Sequence, residues 1–284
     1  MIAGLSATLV GLFLLAVLFI DLFIDGSERL TYKFLSSFPS RFPEEAGILS
    51  AWVGSFLVLF VTALAAIPLG VAAGIYLEEY APKNWLTNII EINIANLAGV
   101  PSIVYGLLAL GLFVYFFKFG ESILTGGLTL ALLILPMVIM TTREAIRAIP
   151  NSIREASYAL GATKWQTVQW HILPYSLGGI LTGIIIGLSR AIGETAPIIT
   201  VGALTFIAFL PASPITSEFP FISFKWLFDP FTVMPIQMFN WVSRPQPEFQ
   251  INAAAAGIIL MIMTLIMNGI GIHIRYKFRK KIKW

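Results

Sequence analysis

The sequence predicts an all-α polytopic membrane protein with six transmembrane helices and one polar insert between the fourth and fifth. Three observations carry this. Of the 284 residues, 57% are apolar and only 12% charged, more apolar surface than a domain facing water on its outside has use for. Several uncharged runs reach the roughly 20 residues that a helix needs to cross hydrocarbon about 30 Å thick. Between Arg143 and Pro174 the chain turns polar, with capping signals at regular places.

The runs are Met1–Ile20, Ala46–Leu77, Ile92–Phe117, Ser122–Thr142, Ile172–Thr216 and Phe249–Ile274, the fifth broken only by Arg190 and Glu194. The first has no Lys or Arg ahead of it, Arg29 being the earliest, and no small-residue cleavage site follows. It reads as a retained helix and not as a signal peptide. An outer loop with Pro39 and Pro43 leads to the second span, as an irregular or partly helical cap. The second span carries Gly70 and Gly74, a spacing that lets another helix approach closely.

The third span is less apolar. Asn93, Asn96, Gly99 and Ser102 recur every third position and form a slowly winding stripe beside Pro101. The stripe serves either interhelical hydrogen bonding around a proline kink or the lining of a pore, since polar groups within a membrane face the bundle interior in both cases. The fourth span is expected to follow a turn at Gly126–Gly127 and to end at Thr142.

The insert, residues 143–174, reads as two short capped helices. Ser152 and Glu155 have the spacing of a capping box opening the first, and Gly161 is placed to end it. Thr163 and Gln166 repeat the box, and Pro174 is expected to stop the second helix at its predecessor. Ile153, Tyr158, Leu160 and Trp165 would then be presented together. This is a protein-docking knob or, alternatively, a capped loop lying on the headgroups.

In the fifth span small residues recur every fourth position, at Gly179, Gly183, Gly187, Ala191 and Thr195. At about 100° per residue the row covers a sector of about 160°, with Arg190 about 20° and Glu194 about 60° from Gly179. The two charges therefore share the face to be packed against protein. The outer segment from Pro211 to Gln250 holds seven of the sixteen prolines, with many aromatic residues, and is a cap over the bundle or a surface for an outer partner. A basic tail follows the sixth span, a positive-inside anchor or a lipid-binding segment.

With the N-terminus inside, eleven of the eighteen Lys and Arg residues fall in inner segments and six in outer ones, Arg190 being the remaining one. The insert and both termini are thus expected to be cytoplasmic, in a cell (inner) membrane. The formal charge of +3 then reports topology and not nucleic-acid binding.

Cysteine is absent, and the two histidines, His171 and His273, are far apart, so disulfides and HExxH-type zinc sites are excluded and no metal site is expected. No GxxxxGK[ST] occurs, so an ATP-cradling loop is missing. If ATP drives this protein, another subunit hydrolyses it. No nucleophile–base pair is visible, and the chain is not expected to be an enzyme.

Glu155-Ala156-Ser157, then Gly161, then His171-Ile172-Leu173-Pro174 resembles the cytoplasmic signature of ABC-importer permeases (Glu-Ala-Ala, three residues, Gly, nine residues, Ile-x-Leu-Pro). Ser157 stands for the second Ala and His171 for the Ile. Arg190-Ala191-Ile192-Gly193-Glu194-Thr195-Ala196-Pro197, Asn96 to Gly106 and Pro235 to Trp241 are similar to the phosphate-specific permease family of the PstA type. The resemblance covers about residue 50 to the C-terminus. It implies a type I ABC importer permease (MetI-like) fold, with residues 1–49 as first helix and outer loop, 50–274 as permease domain and 275–284 as cytoplasmic tail.

It further implies ATPase coupling through Glu155, Ala156, Gly161, Leu173 and Pro174, and a substrate pathway through Arg190, Glu194, Thr195 and Asn96. The implied partners are a second homologous permease subunit, two ATPase subunits that use ATP and Mg, an extracytoplasmic phosphate-binding protein and membrane lipid. No cofactor would be bound by this chain. On chemical grounds Arg190 either pairs with Glu194 structurally, or offers a planar fork to phosphate while Glu194 accepts the phosphate's own O–H. Rival readings are a permease for sulfate or molybdate and a self-sufficient proton-coupled carrier.

Overall fold

The computed structural model describes residues 2–215, 219 and 221–281. Its helices are α1 (Ile2–Gly26), α2 (Tyr32–Ser36), α3 (Leu49–Ile75), α4 (Trp85–Ala98), α5 (Ser102–Ala109), α6 (Ile123–Arg147), α7 (Asn151–Ala159), α8 (Lys164–Thr167), α9 (Leu173–Gly193), α10 (Ala196–Thr200), α11 (Met234–Val242) and α12 (Glu248–Lys281). Wider π-type turns continue α3 (Tyr76–Tyr80), continue α5 (Leu110–Phe116) and join α8 to α9 (Val168–Ile172). Among the described residues there is no strand, only an isolated bridge from Ile215 to Ile222. Five helices are long and apolar enough to cross a membrane, and a sixth span arises if the pair Trp85–Ala98 and Ser102–Phe116 counts as one.

That pair is bent by 104°. Pro101 lacks an N–H and takes an extended ψ of 136°, so α4 ends at Gly99 and α5 starts afresh. The expected kink is a full break. Helix α12 continues past Ile274 into the basic tail, to Lys281. Residues 282–284 of the basic tail lie outside the described residues.

The chain divides into two compact units. The first, Met1–Phe56 with Ala203–Thr264, is built on Phe34, Ile48, Met234, Trp241 and Phe249, all essentially buried. Arg29 ties its loop together, donating from Nε to Asn252 Oδ1 (2.8 Å) and from Nη2 to the carbonyl of Pro43 (2.7 Å). Trp226, Phe231 and Trp241 point inward while Phe219, Phe224 and Phe239 stay exposed, so the aromatic segment is partly core and partly surface.

The second unit, Leu57–Gly202 with Leu265–Trp284, is organised around α6. A Cβ on Gly70 would lie 2.7 Å from Val138 Cγ1, and one on Gly74 2.6 Å from Thr142 Cβ, so the glycine pair of α3 does admit α6. Gly126 and Gly127 are not a turn. Ser122 caps the helix before them, accepting from Thr125 N, and both lie within the helix, Gly127 closing on Val61. The small-residue row of α9 meets the opposite partner residues of the same helix. Gly179 faces Ala145, Gly183 faces Thr141, Gly187 faces Ile134 and Val138, and Ala191 is buried.

Candidate functional site

The insert folds as a knob of α7 and α8. Its first helix does not use the expected box. Pro150 is the N-cap, with φ −57° and ψ 140°, and no side chain caps it, so Ser152 falls inside the first turn. A proline already fixed in that conformation starts the helix two residues before the serine could. Gly161 ends α7 as expected, at φ +84°. Gly161 N donates to Tyr158 O (2.9 Å) and Ala162 N to Ser157 O (3.2 Å), the paired bonds of a glycine-terminated helix. The second box is present, Gln166 N donating to Thr163 Oγ1 and Thr163 N to Gln166 Oε1.

Pro174 does not stop α8. Helix runs on from Lys164 to Gly193, with Pro174 in the first turn of α9. The missing N–H is absorbed by the π-type turn ahead of it, where Leu173 N bonds to Val168 O, five residues back. Tyr158, Leu160 (90% exposed), Trp165 and Trp170 stand out from the knob, with Glu155, Ala156 and Gly161 on its open surface. Ile153 instead packs inward on Ile146, Ile149 and Ile172. Leu173 and Pro174 are half-buried at the base.

The base of the knob is held by ion pairs that local sequence patterns do not reveal. Arg147 spans both oxygens of Glu78 (2.9 and 3.1 Å), and Arg154 brings Nη2 and Nε to Glu79 Oε1 (2.6 and 3.0 Å). Arg143 reaches Glu91 at 2.6 Å.

The second constellation lies where α9 ends. Glu194 is the C-cap, extended at ψ 125°, and Arg190 Nε donates to Glu194 Oε1 over 3.2 Å. Nη1 and Nη2 of Arg190 have no hydrogen bond among the described residues. The side chains are 42% and 18% exposed, so Arg190 sits at the rim of the packed face and not within it. The small-residue row winds by about 40° per four residues, which carries its centre away from position 190. Thr195 is half-buried and opens α10, its carbonyl accepting from Ile198 N and Ile199 N. Asn96 is exposed on the last turn of α4, its carbonyl receiving Gly99 N (3.0 Å), and no hydrogen bond joins it to Arg190 or Glu194.

A residue not singled out from sequence joins the two breaks. Tyr105 donates its hydroxyl to the carbonyl of Leu97 (2.7 Å) across the α4–α5 bend. Next to it, Gly106 abuts Pro197 and Thr200, where a Cβ would lie 2.7 Å from Pro197 Cα. Its only sequence signal was membership of the Asn96–Gly106 motif. Chemically, the site offers a guanidinium with two uncommitted nitrogens beside a carboxylate, a pairing that fits a protonated tetrahedral oxyanion. Among the described residues no group of three or more His, Cys, Asp or Glu could hold a metal ion.

Residues 66–280 match the family described as binding-protein-dependent transport system inner membrane component. The chain is 32% identical over 268 residues to the probable ABC transporter permease protein YqgI of Bacillus subtilis (strain 168), covering 93% of this chain and 90% of that one. It is 32% identical to the phosphate transport system permease protein PstA of Yersinia pestis, covering 99% and 89%. Among solved structures, inward-facing conformations of the MetNI methionine ABC transporter match with a TM-score of 0.56 at 17% identity, over 79% of this chain and 91% of that one. At that identity the likeness speaks for the fold.

Proposed function

The chain belongs to the family of binding-protein-dependent transport system inner membrane components, and from that premise we propose that it is a permease subunit of an ATP-driven phosphate importer. The family is one of transport components, and the relative in Yersinia pestis carries phosphate in its name. The observation that carries the reading is the unbroken helix from Lys164 to Gly193. One end of it is the exposed knob, and the other is the Arg190–Glu194 pair.

In this reading the knob and both termini face the cytoplasm, as the Lys and Arg distribution favours. Glu155, Ala156 and Gly161 form the surface that an ATPase subunit engages, with Leu173 and Pro174 passing its motion into α9. ATP and Mg belong to the ATPase. Arg190, Glu194, Thr195 and Asn96 flank the pathway, beside the two helix breaks. An ionised side chain costs roughly 2.5–3.5 kcal/mol in the bilayer centre, so the exposed Arg190 face is completed by a second permease and an aqueous path. A phosphate-binding protein delivers the anion on the other side.

The test is ATPase activity of the copurified complex in lipid, with binding protein loaded with phosphate or with sulfate. Stimulation by the phosphate-loaded form alone supports the reading. Equal stimulation by sulfate assigns another oxyanion, and uptake by this chain alone under a proton gradient without ATP overturns it.

A further inference from the structure

Beneath the exposed face of the knob, six charged side chains from four elements are joined in ion pairs. Arg154 of α7 is 15% exposed and Glu79, in the π-type turn after α3, 6% exposed, with 2.6 Å between Nη2 and Oε1. Arg143 of α6 is 9% exposed and meets Glu91 of α4 at 2.6 Å and Glu78 at 3.5 Å. Arg147 holds Glu78 from the other side at 2.9 Å.

The end of α3 and the turn that continues it are gripped at four residues. Ile75 packs on the Ile146–Ile149–Ile172 cluster, Glu78 is held by Arg143 and Arg147, and Glu79 by Arg154. Tyr80 lies under the ammonium of Lys164, 5.1 Å from the ring centre. Arg154 also donates to the carbonyls of Ile149 (2.9 Å) and Ile146 (3.2 Å), so it closes the corner between α6 and α7 as well as the pair to α3.

We propose that these pairs are the linkage by which movement of the knob reaches two of the spans that do not carry it, α3 and α4, with Glu79, Glu91, Arg143 and Arg154 as positioning residues for transport. The proposal rests on the ATP-driven importer reading. Separating a buried charge from its partner leaves that charge uncompensated, so the elements on either side of each pair move together. The grip on α4 is at Glu91, six residues or about 9 Å of helix from Leu97. Leu97 is the residue whose carbonyl receives Tyr105 across the bend, and Gly106 beside it abuts Pro197, three residues after Glu194. The linkage thus ends at the candidate pathway. None of the four residues contributes to the knob's exposed apolar surface, so docking of an ATPase does not depend on them.

The experiment measures phosphate taken up per ATP hydrolysed by the assembled complex in vesicles, with phosphate-loaded binding protein. The variants are Glu79→Gln, Glu79→Arg, Arg154→Glu, and the double exchange Glu79→Arg with Arg154→Glu. Each single variant is expected to copurify with the ATPase and hydrolyse ATP while the ratio falls about tenfold. The double exchange restores the charge pair but not the donation to the carbonyls of Ile149 and Ile146, so it is expected to raise the ratio above that of either single reversal, whereas a merely structural pair would leave the ratio unmoved throughout.

An unchanged ratio in the single variants overturns the proposal, as does a double exchange that assembles with a ratio no higher than that of the single reversals. Should the charge reversals fail to accumulate in the membrane, Glu79→Gln and the double exchange decide by the same criteria. Absence of phosphate uptake by the unaltered complex would instead defeat the importer reading itself, a result distinguishable from a working complex indifferent to these changes.

Discussion

Arg190 and Glu194 are joined across the last turn of α9 by one hydrogen bond of 3.2 Å, and Glu194 is already outside the helix. The helical partner is fixed, whereas the carboxylate hangs on the extended residue between α9 and α10. A pair built this way opens by rotating one non-helical residue, with no helix to unwind. It leaves both Nη nitrogens available to a visiting anion.

Arg190→Gln, in a complex that still assembles and hydrolyses ATP, is expected to lower phosphate uptake at least tenfold, the scale of losing one charge-assisted contact of about 1.5–3 kcal/mol. Glu194→Gln keeps the guanidinium and is expected to do less damage. Radiolabelled phosphate uptake in vesicles measures both. Undiminished uptake by Arg190→Gln would remove the direct role.

Tyr105→Phe deletes the hydrogen bond to the Leu97 carbonyl while keeping the ring. A loss of about 0.5–1.5 kcal/mol in stability is expected, with reduced uptake. Thermal unfolding of the purified complex in detergent reads the first, and vesicle uptake the second.

Two glycines of α9 give a paired comparison. A Cβ at Gly183 would lie 2.5 Å from Thr141 Cβ, while one at Gly178 meets nothing within 4 Å. Gly183→Leu is expected to destabilise by about 1–3 kcal/mol or more, and Gly178→Leu to be near neutral. Chemical unfolding in mixed micelles separates the two, and equal stability would contradict the packing of α9 on α6.

On the knob, Leu160→Asp combined with Trp165→Ala is expected to weaken capture of the ATPase by tenfold or more, as truncation of a central apolar anchor does. The fold should be spared to within about 0.5 kcal/mol because both side chains are solvent-facing. Copurified ATPase, quantified against the permease, measures the loss.

Much of this was legible from local pattern. The Thr163–Gln166 box, the left-handed Gly161 and the Gly179–Ala191 row are encoded by residues within a turn or two of one another, and the structure has all three. Pro150 and Pro174 defeated two local rules. One started a helix ahead of the serine that was expected to cap it, and the other sat inside a helix widened to receive it.

The ion pairs were not legible, since Glu78 and Glu79 lie 65 to 75 residues from Arg143, Arg147 and Arg154 and no periodicity relates them. Tyr105 was obscured in the same way. A tyrosine in an apolar run carries no local sign that its hydroxyl spans a helix break. Of the proposed pathway residues, Arg190 and Glu194 are bonded to each other and Thr195 follows directly, whereas Asn96 makes no hydrogen bond to them.

The π-type turn at Val168–Ile172 sets a phase. It takes in more residues per turn than the helix on either side, and beyond it the glycine row of α9 faces α6. Removing a single residue from the regular helix between that turn and Gly179 would rotate the knob by about 100° against the row. Either the docking surface or the glycine face would then point the wrong way. The number of residues between Ile172 and Gly179 is therefore a fixed dimension of the protein, where their identities have more latitude than their count.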